Sequence, residues 1–326
     1  MKTALVVRYG AFGDCIILTP FLRELKMRGY YVIFNASERG ISILKNNPNI
    51  DEFIYYETNK VKNTELNDYW MDQCKEIRPD LYINFSETIE VKLCTHPNRA
   101  EYYLDKEGRA DLCDKNYYEE TIKYVNEQLG WDLDVNEFVK PELYFTKHEE
   151  KRAKRLINKK KYNILICLSG SSISKFYPWN IHLVEEIKRQ HPDAHVITTG
   201  DDFSVEAENE MSPNVKLCGR VPFRISAALT KYVDLVITPD TGILHAAACY
   251  DTSKIALLGQ TSKENITKHF TNCYTIEAEC FCAPCFRIIY EFEECPKDET
   301  TGACLCMGYG ISPFEILTAI KQFRQG

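Results

Sequence analysis

The chain has 326 residues, 44% of them hydrophobic and 27% charged, with 15 glycines and 13 prolines, a composition that excludes collagen-like, low-complexity and wholly disordered classes. At roughly 150 residues per domain, the length points to two lobes. Forty Lys and Arg against 47 Asp and Glu leave a net charge of −7, which repels phosphate polymers and argues against a nucleic-acid partner.

No run approaches the roughly 18 apolar residues a spanning helix requires, and Arg8 and Asp14 interrupt the first apolar stretch. Neither a leader nor an anchor is expected. Fourteen cysteines in a chain long enough to bury a sizeable core fit a reducing cytoplasm better than a secreted disulfide scaffold.

Thr3 to Tyr9 reads as a strand, Gly10 to Asp14 as a tight loop, and Cys15 to Lys26 as a helix. Tyr31 to Asn35 reads as a strand, Glu38 to Lys45 as a helix, and Phe53 to Tyr56 and Leu81 to Phe85 as further strands. Strands alternating with helices predict a parallel sheet. Helical spacing returns from Tyr117 to Leu129, and Trp131 to Pro141 reads as loop. A first lobe is therefore expected over residues 1–146. Residues 147–161 form a basic helical segment with Lys147, Lys151, Arg152, Lys154, Arg155, Lys159, Lys160 and Lys161 opposed only by Glu149 and Glu150.

The alternation restarts in a second lobe, 147–311. Its expected strands are Asn163 to Leu168, His195 to Thr199, Val215 to Leu217, Leu235 to Thr238 and Ile255 to Leu258. Helices are expected at Ile181 to Arg189, Arg224 to Tyr232 and Leu244 to Tyr250. After Thr261 the sequence reads as a loop, cysteine-dense over 273–306, and residues 312–326 close it with an amphipathic helix from Pro313 to Phe323.

Three strand-to-helix loops carry residues suited to chemistry. In the first, Gly10 and Gly13 permit close backbone approach to a ligand, and Asp14 is the loop's one ionisable side chain. Taken alone, Asp14 reads more readily as a helix cap. The loop lacks the GxGxxG spacing, which disfavours a dinucleotide oxidoreductase. The second, Asp240-Thr241-Gly242-Ile243-Leu244-His245, opens a helix rich in small residues, where backbone amides, the Thr241 hydroxyl and the helix dipole suit a diphosphate and His245 sits one turn in. An ordinary capped helix with a satisfied histidine fits it equally well. The third offers Ser171, Ser172 and Lys175 after a strand, without P-loop spacing; a solvated lysine is its plainer reading.

Together these pieces resemble glycosyltransferase family 9, the ADP-heptose:lipopolysaccharide heptosyltransferase type. The resemblance is carried by Gly13-Asp14 with Thr19-Pro20 and Leu22-Arg23-Glu24-Leu25-Lys26, by Asp240-Thr241-Gly242 with His245 and Ala246-Ala247-Ala248, and by Gly259 with Thr261. It implies the α/β GT-B architecture, two Rossmann-like lobes facing an interdomain cleft, with a C-terminal helix that commonly crosses back to the first lobe. It further implies acceptor binding by the first lobe around Gly10 and Gly13. Asp14 becomes the candidate general base, Lys175 the diphosphate partner, and Ser171, Ser172, Asp240, Thr241, Gly242 and His245 the donor loops. The reaction implied is an inverting transfer from a nucleotide sugar, ADP-heptose first, with no cofactor for catalysis. The acceptor hydroxyl is a lipopolysaccharide core glycolipid first, then a protein, then modified DNA. A noncatalytic nucleotide-sugar binder is the competing class. Phe176 and Tyr177 depart from the usual Arg-Trp after the loop lysine, and Gln260 from a usual Pro.

Seven of the fourteen cysteines lie between Cys273 and Cys306. Cys282, Cys285 and Cys295 with Cys304 or Cys306 suit a structural zinc or iron site. Buried free thiols and disulfides stand as alternatives. The basic segment reads first as a solvated inter-lobe helix and second as a contact for an acidic membrane at the cytoplasmic face.

Overall fold

A computed structural model describes residues 2–57, 65–87, 115–170, 172–285 and 295–325. In the first unit, β1 (Lys2–Arg8) is followed by α1 (Phe12–Ile17), α2 (Thr19–Met27), β2 (Tyr30–Ala36), α3 (Glu38–Leu44), β3 (Glu52–Tyr55), α4 (Leu66–Ile77), β4 (Leu81–Asn84) and α5 (Tyr117–Leu129). The four strands pair in parallel in the order β3-β2-β1-β4. The single helix expected from Cys15 to Lys26 is two helices, divided at Leu18, with Pro20 in the first turn of the second. Proline lacks the N–H an unbroken helix would need there and fits the first turn without cost.

The second unit takes in Lys115 and Asn116 and then the chain from Phe145 onward. It contains α6 (Lys147–Leu156), β5 (Tyr162–Cys167), α7 (Asn180–Gln190), β6 (Ala194–Thr199), α8 (Val205–Glu210), β7 (Val215–Lys216) and α9 (Phe223–Leu229). These lead into β8 (Leu235–Pro239), α10 (Gly242–Ala248), β9 (Ser253–Leu258), β10 (Cys273–Glu277), α11 (Leu305–Gly308) and α12 (Pro313–Gln325). Its six strands are parallel in the order β10-β9-β8-β5-β6-β7.

The buried strands of this sheet read as unbroken apolar runs because both faces are covered. Ile164, Ile166 and Leu168 enter one core and Leu165 and Cys167 the other, and the same division separates Leu235 and Ile237 from Val236. α12 joins the first of these cores through Ile316, Leu317, Ala319 and Ile320. Arg324, at its end, pairs with Asp193 at 2.5 Å and lies over the Tyr162 ring. The apolar face of this helix is thus buried on the second sheet. The basic helix ends at Leu156, short of 161, because Ile157 turns extended (ψ 152°).

In each sheet the chain runs outward from one strand and then returns to its other side: β1 lies between β2 and β4, and β5 between β6 and β8. Adjacent loops at the carboxyl ends of such strands diverge, and the crevice they leave is where open α/β sheets bind ligands. The Gly10–Asp14 loop follows β1, Ser169–Lys175 follows β5, and Asp240–Gly242 follows β8.

Candidate functional site

In the first unit Asp14 is the third residue of α1, with Ala11 at the cap. One carboxylate oxygen, Oδ2, accepts the Ala11 N–H at 2.6 Å. The other, Oδ1, lies 3.1 Å from Nη2 of Arg8. Arg8 is itself buried at the end of β1 and donates through Nη1 to the Phe85 carbonyl at 3.1 Å. The carboxylate is therefore oriented from both sides yet partly open to solvent, with 21% of its side chain exposed. Gly10 has φ +120°, and a Cβ there would stand 2.8 Å from Asp14 Oδ2. Gly13 is buried in the same turn. The Thr19 hydroxyl accepts the Glu142 N–H at 2.8 Å, and Arg23 pairs with the Glu142 carboxylate, so the Thr-Pro and Leu-Arg pieces hold the loop's helix against the chain leaving this unit.

In the second unit Asp240 gathers the predicted donor residues. Its Oδ2 lies 3.3 Å from Lys175 Nζ and accepts from the Thr261 hydroxyl at 3.5 Å, while Oδ1 faces His245 Nε2 at 3.7 Å. Burial pushes the Asp240 carboxyl up, but Lys175 and then His245 outweigh it, and the group stays well below the ordinary carboxylate range. Lys175 is 14% exposed, so it is a held cation and not the solvated loop lysine of the plainer reading. Its Cδ and the Thr241 Cγ2 would each lie 2.8 Å from a Cβ at residue 170, so glycine there lets the two loops close together. Thr241 caps α10, its hydroxyl accepting the Ile243 N–H at 3.2 Å, and Gly242 is the first helical residue. The His245 ring meets Phe270 edge-on. Ser172 caps the short turn Ile173–Lys175, and Ser174 donates to Gln260 Oε1 at 2.6 Å. Ser171 lies outside the described residues.

The cysteine-dense region is partly described. Cys280 Sγ and Cys282 Sγ lie 3.5 Å apart. Burial, with Cys280 beside it, pushes the Cys282 thiol up to about 12, and burial raises Cys306, which also feels Cys295, Cys285, Cys282 and Cys280. Cys280, absent from the predicted set, thus belongs to the gathering. Cys304 is buried in the core that α12 joins. All the described cysteines are free, and among the described residues no three His, Cys, Asp or Glu side chains converge in a metal cage.

A sequence profile of glycosyltransferase family 9 (heptosyltransferase) matches residues 114–295, more than half of the chain. This protein belongs to glycosyltransferase family 9. An Escherichia coli protein with the provisional name lipopolysaccharide heptosyltransferase 4 is 23% identical over 295 residues, covering 82% of this chain and 78% of its own. The fold matches that of a family 9 glycosyltransferase from Veillonella parvula (TM-score 0.71, 17% identity, 99% of this chain and 97% of that one). It also matches E. coli ADP-heptose lipopolysaccharide heptosyltransferase II (TM-score 0.66, 17% identity, 99% and 98%). The iron-containing dodecameric glycosyltransferase TibC of E. coli follows at TM-score 0.61 and 13% identity, covering 100% and 79%. The two parallel α/β sheets are those of the GT-B class, and the protein is a glycosyltransferase of heptosyltransferase type.

Within this family 9 chain two of the three departures from the motif have structural reasons, and nothing in the structure explains Phe176. Tyr177 is fully buried and donates its hydroxyl to the Ile311 carbonyl at 3.3 Å, so it serves the core. Gln260 supplies the acceptor for Ser174. Sequence reasoning missed Arg8, which read only as a break in an apolar strand; its pairing with Asp14 depends on the turn between them. It also missed that Thr261 reaches Asp240, although both stand in the motif.

Proposed function

We propose that this glycosyltransferase transfers heptose from ADP-heptose to a hydroxyl of a lipopolysaccharide core glycolipid, with inversion and without a catalytic metal. The observation that carries the reading is the buried cluster of Lys175, Asp240 and His245 beside the start of α10, at the strand-order reversal of the second sheet. A cation held there by a buried carboxylate stays in place for a departing diphosphate, and the Thr241 and Gly242 amides and the Thr241 hydroxyl add donors. Ser171 and Ser172 complete the donor loops in this proposal.

Asp14 takes the acceptor proton. As the acceptor oxygen bonds to the anomeric carbon, the carbon–oxygen bond to the diphosphate breaks and ADP departs with that electron pair, one displacement that inverts the centre. The Arg8 and Ala11 contacts hold the carboxylate in one orientation, and Gly10 and Gly13 leave room for the acceptor. The likeness to lipopolysaccharide heptosyltransferases supports the sugar and the acceptor class.

Incubating the enzyme with ADP-heptose and core glycolipid should yield ADP and an acceptor heavier by one heptose. Asp14→Asn, folded, should lose roughly 10²–10⁴-fold in turnover with little change in donor affinity. Lys175→Ala should lose both rate and donor affinity. Near-full activity in either variant removes that residue's role.

The 3.5 Å approach of the Cys280 and Cys282 thiols, with the likeness to an iron-containing glycosyltransferase, favours a second reading of the cysteine-dense region, a structural zinc or iron on Cys282, Cys285, Cys295 and Cys304 or Cys306. Reduced protein without stoichiometric zinc or iron would remove the metal.

A further inference from the structure

We infer that the outward face of α6 and the segment after it form a docking surface for anionic phospholipid. Residues 147–161 hold eight cations and two carboxylates, a surplus of six, so the rest of the chain carries −13 to reach the total of −7. Both carboxylates are committed to the protein. Glu149 pairs with the buried Arg224 at 2.5 Å and Glu150 with Lys231 at 2.8 Å. Lys154 lies over the Tyr232 ring at 4.7 Å. Among the described residues no carboxylate lies within ion-pair distance of Lys147, Lys151, Arg152, Arg155, Lys159, Lys160 or Lys161. All of these are exposed except Arg152, which is half-buried.

The helix fixes where these charges point. Ala153 and Leu156 pack it into the core shared with α9. Lys147, Lys151 and Arg155 recur every fourth residue and so line one face. Lys159, Lys160 and Lys161 extend the charge beyond the helix end. Exposed and spread along the helix and the segment after it, these cations suit a surface of many anions better than a single small one. Clusters of about four to eight Lys and Arg on a helix are what an anionic lipid surface attracts.

Nucleic acid fits less well. No aromatic residue occurs between 147 and 161 to stack on a base. A polyanion outrunning the patch meets a chain that is otherwise −13, whereas a membrane engages one face and its field decays within about 10 Å at 0.1 M salt. The inference rests on charge placement and is independent of the donor and acceptor assignment.

The test is flotation of the full chain with phosphatidylcholine vesicles and with mixed phosphatidylglycerol–phosphatidylcholine vesicles. Binding should require phosphatidylglycerol and fall as salt rises. The variant K151E/R155E/K159E/K160E should lose at least about fivefold per cation removed, with its circular dichroism and donor turnover kept. K159E/K160E alone, beyond the helix and so without risk to its folding, should lose at least about 25-fold on the same scale. Equal binding to both vesicle types, unaltered binding by K159E/K160E, or tighter binding to a DNA duplex than to phosphatidylglycerol vesicles would each overturn the inference.

Discussion

At Asp14 the surroundings do the selecting. A carboxylate free to rotate would offer its lone pairs in many directions, whereas here Ala11 engages one oxygen and Arg8 the other. The arrangement depends on the empty space at Gly10. Alanine there would adopt a disfavoured φ of +120° and push its Cβ into Asp14 Oδ2. Gly10→Ala should therefore cost about 1–3 kcal/mol of stability in denaturant unfolding, and it should lower kcat more than donor affinity. The sequence shows Gly10 and Asp14 as a loop with one acid. It does not show Arg8 as that acid's partner, because their meeting requires the strand to end and the chain to reverse over six residues.

At the level of elements, α6 shows how a helix that is polar nearly all round is retained. Only Ala153 is fully buried along it. Its attachment comes from the capping box of Thr146 and Glu149 and from the Glu149–Arg224 pair, whose side chains are 17% and 6% exposed. The Arg224 bond is the largest cause that holds the Glu149 carboxyl down at about 2, against burial, which acts the other way. A carboxyl depressed in the folded state stabilises fully above its unfolded value of about 4.3 and loses that stabilisation as pH falls toward 2. Glu149→Gln leaves Arg224 buried without its counter-charge and should cost about 3 kcal/mol near neutral pH. Thermal unfolding at a series of pH values should show the gap between wild type and variant narrowing below about pH 4. A gap that stays constant down to pH 2 would mean the pair is not what anchors the helix.

The same scale shows what a linear reading catches and misses. Strands of the second sheet were legible because burial on both faces makes them continuous apolar runs. β10 reads as loop in the sequence because it sits at the sheet edge, where only Ile276 of its five residues is fully buried. α4 went unread because Leu66 and Trp70 are its only buried residues among polar ones. The packing of α12 onto the second sheet is also invisible in the sequence, since amphipathicity says that a face is buried and not against what.

For the molecule as a whole, strand order is the fact that sequence order does not contain. Lys175 and Asp240 are 65 residues apart, and nothing in their spacing says that they touch. They meet because β8 returns to pair with β5, so the loops after these two strands become neighbours at the carboxyl edge. If that edge holds the nucleoside diphosphate, ADP should protect both loops together although they are distant in the chain. Amide hydrogen exchange with saturating ADP should slow at residues 172–175 and at 240–245, while β10, at the far edge of the same sheet, exchanges as before. At a hundred times the dissociation constant, binding contributes about 2.7 kcal/mol, so exchange limited by opening of these loops should slow by roughly 100-fold. Lys175→Ala should abolish the protection at 240–245 as well as near its own position, because the diphosphate that links the two loops is no longer held. Protection of one loop without the other would place the nucleotide elsewhere.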